Sequence, residues 1–371
     1  MTTNLISAPT CLQSLREFLH ANWENPLLLN GTLCLYVITN DDEGWESILT
    51  FSSGKLSQWE NRNSMHETDA CLAMPLDVVD HLTNNIHSID YRNPKIMERT
   101  HVSGDMRLVN HVAKALLKPG PNAKKRLDWA TQRNTPAYKV AQVARVHQPS
   151  ELEILSRIAE GLPFVATGIS PPGTHGTWTL ERLRERYEDV LLRVRSADWQ
   201  ETVGQFVDRV QAHMRGEISV PLVEGFTKAY TEGCALPEAM RADFMPHRFT
   251  LDDYIEPQIW LGAVPVDVPA SSLHRDPLDG FLFQLMGRKK LVLYSPDQAP
   301  LLYPMKAWNN YQPCWVAPEN PRLDVFPDFA RASPLEVVLH PGELLIQPAG
   351  WFHAVYCLDS PTFSISYFLR H

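Results

Sequence analysis

A histidine, a carboxylate and a second histidine form the strongest chemical pattern in the 371-residue sequence. His274 and Asp276 are separated by one residue, and His353 follows 77 positions after Asp276. In a β-strand, residues two apart project from the same face, so His274 and Asp276 can reach one metal ion from a single strand. His353 follows the turn Pro348-Ala349-Gly350 and begins a strand-like run. Pairing across a sheet would bring it to the same ion.

Two imidazoles and one carboxylate occupy one face of an octahedron and leave three positions open. This is the arrangement that a non-haem Fe(II) centre needs in order to bind a bidentate oxoacid and dioxygen. A zinc site would use a closed ligand set or different ligands. The triplet of His274, Arg275 and Asp276 is short, so its weight depends on the segments around it.

Several further segments support this interpretation: residues 260–262 (WLG), 271–276 (SSLHRD), 287–296 (GRKKLVLYSP), 341–343 (PGE) and 348–353 (PAGWFH). In their order and spacing they resemble the JmjC-like cupin hydroxylases, from about Leu162 to the C-terminus. The resemblance implies a double-stranded β-helix core, Fe(II) bound by His274, Asp276 and His353, and 2-oxoglutarate as co-substrate. It also implies oxidation of a C–H bond.

The resemblance also implies residues that bind 2-oxoglutarate. Lys289 stands where the asparaginyl-hydroxylase branch has a lysine that pairs with the distal carboxylate, and a carboxylate entering an apolar barrel must be neutralised and hydrogen-bonded. Lys290 projects from the opposite face, although a slip of one residue in register would exchange the two. Ser271 stands in the position of a hydroxyl residue that assists the same carboxylate, and the adjacent Ser272 could serve instead. Tyr367 falls where many relatives have an asparagine close to the co-substrate.

These residues must be positioned mainly by strands. From Pro257 onward, runs with strand character alternate with Gly and Pro turns, which predicts an antiparallel barrel or jelly roll. The predicted strands are residues 258–261, 280–286, 290–294, 335–339, 343–346, 353–358 and 362–368. Helical patterns upstream are predicted at residues 150–160, 179–188, 197–216 and 226–242. The expected fold is therefore a mainly β double-stranded β-helix of the cupin type with flanking helices.

The N-terminal segment has a different character. Residues 32–38 and 47–52 are β-prone, residues 75–82 and 105–117 carry helical stripes, and Asp105 suits a helix N-cap. Residues 67–117 resemble the sterol-carrier-protein type-two fold, an α+β fold. Members of that family enclose an apolar tunnel, so the resemblance implies an acyl or lipid ligand. The same fold could instead present substrate, mediate dimerisation or brace the barrel.

The length of the chain and its mass of 42.2 kDa predict two domains. We expect a sterol-carrier-like α+β domain over residues 1–118 and a JmjC-like cupin oxygenase domain over residues 146–371. The segment between them, residues 119–145, is polar and basic and shows no amphipathic pattern. It is therefore predicted to be a linker.

Composition limits the partners. A net charge of −9 and a pI near 5.9 argue against a protein that mainly binds the phosphate backbone of a nucleic acid. The six cysteines form no C-x-x-C pair, which predicts neither a zinc knuckle nor a disulfide framework and suits a cytoplasmic protein. No leader pattern and no run of 18 apolar residues is present, so no membrane span is expected. JmjC-like cupins often dimerise through helices, so a homodimer is an expectation from the resemblance.

Three functional hypotheses follow. The first is a hydroxylase of an amino-acid-type substrate, either a protein side chain or a small amino-acid-derived metabolite. The second is an N-methyl demethylase that uses the same chemistry. The third is a non-catalytic lipid-binding or scaffold protein with a vestigial barrel. The sequence does not identify the substrate or the position that is oxidised.

Overall fold

The computed structural model describes residues 10–39, 44–62, 67–89, 96, 98–132, 141–169, 178–193, 200–217, 229–231, 233–245, 251–266 and 268–370. The chain divides into two compact units. The first comprises Met1–Pro121 with Met305–Trp315, and the second comprises Asn122–Pro304 with Val316–His371. Among the described helices, none has the length and apolar character that crossing a membrane would require.

The first unit is an α+β structure, as the sequence predicts. Its elements are α1 (Thr10–Asn22), β1 (Gly31–Ile38), β2 (Gly44–Ser52), β3 (Lys55–Arg62), β4 (Ala70–Pro75), α2 (Leu76–Asn84), β5 (His101–Gly104) and α3 (Met106–Ala115). The strands form one sheet in the order β3-β2-β1-β4-β5. Strand β4 buries every second residue, so its buried side chains share one face, and this face packs against the helices. Leu15, Leu33, Leu72, Val79 and Leu108 belong to the resulting core.

The start of α3 confirms the predicted cap. The Asp105 carboxylate accepts a hydrogen bond from the backbone N–H of Arg107 at 2.9 Å. Gly104 precedes it with φ of +81°, and a Cβ at this position would lie 2.3 Å from the carbonyl oxygen of Asp69. Only glycine therefore allows the chain to leave β5 so sharply before the helix begins.

The elements from Pro121 onward are mainly strands, with several helices among them. They are α4 (Pro121–Gln132), β6 (Ala144–His147), α5 (Glu151–Glu160), β7 (Phe164–Thr167), α6 (Leu180–Tyr187), β8 (Leu191–Arg193), β9 (Gln200–Thr202), α7 (Val203–Met214), β10 (Cys234–Ala235), α8 (Glu238–Phe244), β11 (Gln258–Gly262), β12 (Pro269–Arg275), β13 (Gly280–Met286), β14 (Lys289–Tyr294), α9 (Ala299–Leu302), β15 (Gln312–Pro313), β16 (Leu335–Leu339), β17 (Leu344–Gln347), β18 (Phe352–Cys357) and β19 (Thr362–Phe368). The predicted strands of residues 280–286, 335–339 and 362–368 have the observed bounds.

The second unit contains two principal sheets. The larger has the strand order β10-β11-β19-β13-β17-β7-β6, and in the smaller β12, β18, β14 and β16 are neighbours in that order. Val165 and Leu345 of the larger sheet share one apolar cluster with Leu291 and Val355 of the smaller sheet. This cluster lies in the space between the two sheets, which we call the barrel interior. The arrangement confirms the predicted jelly-roll architecture.

Helices cover the outer face of the larger sheet. Leu183 of α6, Phe206 of α7 and Phe244 of α8 share a buried cluster with Phe283 of β13 and Phe363 of β19. Strands β13 and β19 therefore have one face toward the helices and the other toward the barrel interior. Both faces are buried, so the strands contain long runs of buried residues.

Two sequence-based expectations need correction. The predicted linker contains helix α4, which buries only Leu127 and Ala130, so its apolar stripe is too narrow to produce a clear amphipathic pattern. Residues 133–140 of the same segment lie outside the described residues. The helix predicted over residues 226–242 is limited to α8, because Pro237, whose φ is fixed, is its N-cap and β10 precedes it. Residues 226–228 and 232 lie outside the described part of the chain.

Candidate metal centre

Strands β12 and β18 bring the three predicted metal ligands together. The strands are antiparallel neighbours, and His274 lies directly opposite His353. Asp276 follows the last residue of β12, and its Oδ2 lies 4.0 Å from His274 Nε2 and 3.6 Å from His353 Nε2. One ligand atom of each residue lies within 4.8 Å of the other two. Within the described residues this is the one such group of three or more candidate ligands.

Backbone hydrogen bonds hold the two ligand segments in register. The N–H of Gly350 donates to the carbonyl oxygen of Asp276 at 2.9 Å, and the N–H of Ala349 donates to a carboxylate oxygen of Asp279 at 2.8 Å. The turn before β18 is therefore attached to the segment that carries the carboxylate ligand. This attachment fixes the approach of His353 to Asp276.

Burial shapes the electrostatics of the group. It raises the pKa of Asp276, although the neighbouring His274 opposes the shift, and it holds the pKa of His353 well below its ordinary value. Proximity to His274 lowers the pKa of His353 further. Burial thus disfavours the charged forms of both the carboxyl and the imidazole, and a bound cation would stabilise the carboxylate.

The donor set fits a divalent iron ion. Ligand bonds of about 2.1 Å at right angles would separate the donors by about 3 Å, so small side-chain shifts would close the observed separations. The Nδ1 of His274 lies 2.7 Å from the carbonyl oxygen of Ser272, which accepts its hydrogen and leaves Nε2 to bind the metal. Two imidazoles and one carboxylate leave coordination positions for a co-substrate.

Lys289 lies in the barrel interior and is only 2% exposed. Its Nζ donates to Ser364 Oγ at 2.6 Å and to the Tyr230 hydroxyl at 3.2 Å. Burial lowers its pKa to about 8. Lys290 is half-buried, and its Nζ lies 3.6 Å from a carboxylate oxygen of Glu336. The two adjacent lysines thus differ sharply in burial.

Lys289 and His353 occupy the same face of the smaller sheet. Strand β14 pairs with β18 so that Leu293 lies opposite His353 and Lys289 lies opposite Cys357. Four residues along a strand correspond to roughly 13 Å between Cα atoms. The extended lysine side chain and a five-carbon dicarboxylate can together span that distance. One end of such a ligand could meet the metal group while the other meets the ammonium.

The sequence analysis did not single out Tyr230 or Ser364, which contact the ammonium. Besides Ser364 and Tyr230, the ring of Trp260 lies 6.0 Å from Lys289 Nζ. Tyr230 forms an isolated bridge with Gly262, where φ is +133° and a Cβ would lie 1.8 Å from a backbone oxygen. Glycine at this position therefore allows the segment that carries Tyr230 to approach the sheet. In the sequence, the polar residues at 362, 364 and 366 alternate with apolar residues, and this pattern could have identified Ser364.

Ser271 and Tyr367 differ in their placement. Ser271 is half-buried and lies opposite Val355, a residue of the barrel interior. A β-bulge between this pair and the pair of His274 with His353 shifts the register. Ser272 is exposed. The structure contradicts the assignment of Tyr367 to the co-substrate site. Its ring lies on the helix-facing side of β19, and its hydroxyl donates to the carbonyl oxygen of Phe244 at 2.8 Å.

Comparisons with known proteins agree with the barrel. A family model described as a cupin-like domain matches residues 126–371. Lysine-specific demethylase 8 of Danio rerio is 31% identical over 243 residues, covering 61% of this chain and 58% of that protein. The tRNA wybutosine-synthesizing protein 5 of Danio rerio is 31% identical over 36% of this chain and 41% of its own length. JmjC domain-containing protein D of Dictyostelium discoideum is 36% identical over 31% of this chain and 25% of its own length. The chain thus spans less than two thirds of these relatives.

Solved structures of sterol-carrier-like proteins are also similar to part of the chain. The solution structure of palmitated SCP2L2 from Aedes aegypti is 14% identical and covers 30% of this chain and 95% of that one, with a TM-score of 0.24.

Proposed function

Since the chain belongs to the cupin-like domain family, whose JmjC members generally use Fe(II) and 2-oxoglutarate, we propose that it is an Fe(II)- and 2-oxoglutarate-dependent oxygenase. The reaction we propose is hydroxylation of a C–H bond in an amino-acid-type substrate. The observation that carries this proposal is a group of two histidines and one aspartate on the same inner face as a buried lysine.

His274, Asp276 and His353 would bind the iron. When bound with 2-oxoglutarate, iron supplies the oxidising chemistry that places one oxygen atom of dioxygen in the C–H bond and the other in succinate, with loss of carbon dioxide. Asp276 contributes the negative charge that favours a divalent ion, and the imidazoles of the two histidines contribute nitrogen donors.

Lys289 would bind the distal carboxylate of 2-oxoglutarate. A buried ammonium is poorly solvated, and an incoming carboxylate replaces the lost hydration with a charge-assisted hydrogen bond. Ser364 and Tyr230 already contact Nζ, so they limit the directions in which it can donate. Their hydroxyl groups also provide hydrogen bonds for the same carboxylate. Ser271 remains a candidate for this role because it pairs with an interior residue.

Hydroxylation and N-demethylation begin with the same oxidation. Hydroxylation of an N-methyl group yields a product that loses formaldehyde, whereas hydroxylation of a carbon side chain yields a stable alcohol. One relative is named a lysine-specific demethylase, and another is named for tRNA wybutosine synthesis. The net charge of −9 favours a protein side chain or a small amino-acid-derived metabolite over a nucleic acid substrate.

The first experiment tests the cofactor chemistry. Metal-stripped protein is given Fe(II) and then 2-oxoglutarate without oxygen, and the visible metal-to-ligand charge-transfer band is recorded. We expect the band in the wild type and in His340→Ala, an exposed histidine of the same unit, and its loss in His274→Ala. A wild-type protein that is folded but gives no band would contradict the proposal.

The second experiment separates the two reaction types. Succinate release is measured with candidate amino-acid and peptide substrates, and the products are weighed by mass spectrometry. A gain of one oxygen atom would support the hydroxylase. Loss of a methylene equivalent together with formaldehyde would instead identify the demethylase.

A vestigial barrel with a lipid-binding N-terminal domain remains the non-enzymatic alternative. The cofactor experiment addresses the barrel, and native mass spectrometry of the purified protein addresses the lipid. A co-purifying acyl ligand would support the predicted sterol-carrier-like domain. Its repeated absence would count against the acyl ligand while leaving the oxygenase proposal unaffected.

A further inference from the structure

Arg275 stands between His274 and Asp276 in the chain, but its side chain lies on the other face of the strand. It is the last residue of β12, and neighbouring residues of a strand project from opposite faces. We call the face of β12 and β18 that lies opposite the metal group the reverse face. Arg275 is only 6% exposed, and a guanidinium in such a position is costly unless it is hydrogen-bonded. The reverse face must therefore provide partners for this buried charge.

Two partners of Arg275 are an aromatic ring and a hydroxyl group. Its Cζ atom lies 4.7 Å from the ring centre of Phe352, the residue opposite it in β18. Its Nη1 donates to Oγ1 of Thr131 in helix α4 at 2.8 Å. The Thr131 hydroxyl donates in turn to the carbonyl oxygen of Leu127 at 2.8 Å. Since the hydroxyl hydrogen is used within the helix, the oxygen can only accept from Arg275, which fixes the direction of this bond.

Helix α4 also contacts the turn that leads into β18. Gly350 of this turn has φ of +87°, and a Cβ at this position would lie 2.5 Å from the Cβ of Ala130, which is 2% exposed. The N–H of the same glycine donates to the carbonyl oxygen of Asp276 at 2.9 Å. Adjacent residues of α4, Ala130 and Thr131, thus contact both of the segments that carry the candidate ligands.

We propose that Arg275 is a positioning residue of the metal site, which attaches the two ligand strands to helix α4. Phe352, on which its guanidinium stacks, directly precedes His353 in the chain. Arg275 is thus joined in the chain to two of the candidate ligands and stacked on the neighbour of the third. This inference rests on the proposed function, because it concerns the same metal site.

Attachment to a helix holds the candidate ligands close to one another before a metal binds. Three ligand atoms that already lie within 4.8 Å of one another need little rearrangement to bind one ion. If β12 and β18 were free to shift, metal binding would also have to order them, and the cost of ordering would be subtracted from the affinity. The positive charge of Arg275 has the opposite effect on affinity, since it repels a bound cation. Variants that keep this charge therefore separate positioning from electrostatics.

Two variants disrupt the attachment and keep the charge, with Mn(II) as the probe and electron paramagnetic resonance of free Mn(II) as the measure of affinity. Thr131→Val keeps the shape of the side chain but removes the hydroxyl that accepts from Arg275. Arg275→Lys keeps a cation but loses the planar group that stacks on Phe352. We expect the affinity of each variant to fall by about 3- to 30-fold, the range typical of residues that act on a site through intermediate contacts.

Two controls carry the same substitutions elsewhere. Thr83→Val removes a hydroxyl of α2 that donates to the carbonyl oxygen of Val79, four residues earlier, as Thr131 does in α4. Arg288→Lys changes an exposed arginine that is paired with Asp359. Both controls should keep the wild-type affinity for Mn(II). The double variant Arg275→Lys/Thr131→Val should bind Mn(II) no more weakly than the weaker of the two single variants, because both disrupt one attachment.

The arrangement of the ligands gives a readout that does not depend on affinity. The visible absorption bands of Co(II) depend on the number and geometry of its ligands, so the spectra are recorded at saturating Co(II). We expect changed band positions or intensities in Thr131→Val and Arg275→Lys, and wild-type spectra in the two controls. A substitution that only lowers the free energy of unfolding leaves both the spectrum and the affinity of the folded protein unchanged.

Each outcome has a clear meaning. If Thr131→Val binds Mn(II) as tightly as the wild type and gives its Co(II) spectrum, positioning through α4 is refuted while the metal site stands. If the losses of the two single variants multiply in the double variant, Arg275 does not act through Thr131, and the inference is overturned. If the wild type itself binds neither Mn(II) nor Co(II), the proposed function fails. If Arg275→Lys does not fold, Thr131→Val still decides, because valine retains the shape of the side chain.

Discussion

Replacement of Lys289 by methionine removes a charge from the barrel interior and keeps a side chain of similar length. Lys289 is 2% exposed, and burial lowers its pKa from the ordinary 10.5 to about 8. This difference corresponds to a destabilisation of the charged form by about 3 kcal/mol. The two hydrogen bonds to Ser364 and Tyr230 oppose it, at about 1 kcal/mol each.

The sign of the pH dependence follows from the direction of the shift. Because the pKa of Lys289 is lower in the folded protein, the unfolded chain binds more protons between pH 8 and 10.5. The free energy of unfolding contributed by this residue therefore rises with pH through that window. Below pH 8 both states are protonated, and the full penalty of about 3 kcal/mol applies. We expect Lys289→Met to be about 1 kcal/mol more stable than the wild type at pH 7 and about 2 kcal/mol less stable near pH 10.5.

Urea denaturation of both proteins at each pH measures the difference, and other titrating groups cancel in the comparison. Lys290→Met is the matched control, because Lys290 is half-buried and ion-paired with Glu336. The free energy of unfolding of Lys290→Met should stay within about 0.5 kcal/mol of the wild-type value across the same pH range. A wild-type-minus-Lys289→Met difference that does not change between pH 7 and 10.5 would refute the argument from burial.

The same substitution addresses the co-substrate. A dicarboxylate pairs with the ammonium and not with the amine, so we expect the affinity for 2-oxoglutarate to decrease as the pH rises above 8. Titration calorimetry with Mn(II)-loaded protein measures this. Lys289→Met should bind 2-oxoglutarate at least about tenfold more weakly at pH 7, since a charge-assisted hydrogen bond contributes about 1.5–3 kcal/mol. Equal affinities in the two proteins would remove Lys289 from the proposed site.

Three further outcomes test the surroundings of the site. Gly262→Ala should lower the free energy of unfolding by several kcal/mol and weaken 2-oxoglutarate binding, because the added Cβ would displace the segment that carries Tyr230. The melting temperature measures the first effect, and titration calorimetry measures the second. Tyr367→Phe should cost about 1 kcal/mol in urea denaturation and leave 2-oxoglutarate affinity unchanged. Thr131→Val removes a hydrogen bond to the buried Arg275 guanidinium at 2.8 Å and should cost about 2 kcal/mol of unfolding free energy, whereas a cost under about 0.5 kcal/mol would contradict the importance of that contact.

The sequence predicted strands well where period-two patterns end at Gly or Pro turns. Strands β13, β16 and β19 have the predicted bounds, and β18 begins one residue earlier than predicted. The three candidate ligands could be named in advance because two imidazoles and a carboxylate, two of them one residue apart in a strand, are typical of a metal site. Their meeting at one point depends on the pairing of β12 with β18, which no local pattern reveals.

The co-substrate region was harder to predict because its strands are buried on both faces. In β19, Thr362 to Tyr367 are all buried, so burial does not tell which face meets the barrel interior. Tyr367 was assigned to the co-substrate site only from its position in the family resemblance, and Ser364 was missed. Side-chain type contains the information instead, because Ser364 and Ser366 alternate with Phe363 and Tyr367. A polar residue in a fully buried strand needs a hydrogen-bonding partner, and for Ser364 that partner is Lys289.

Gln347 shows a further limit of reasoning from strand periodicity. It belongs to β17 of the larger sheet, whereas His353, six residues later, belongs to β18 of the smaller sheet. The turn before β18 carries the chain from one sheet to the other, so the two side chains meet across the barrel interior rather than along a strand. Alternation assigns each residue to a face of its own sheet but gives no distance between sheets. Gln347, whose Nε2 lies 2.7 Å from His353 Nδ1, is therefore close to the ligand in sequence and still recognised only once both sheets are in place.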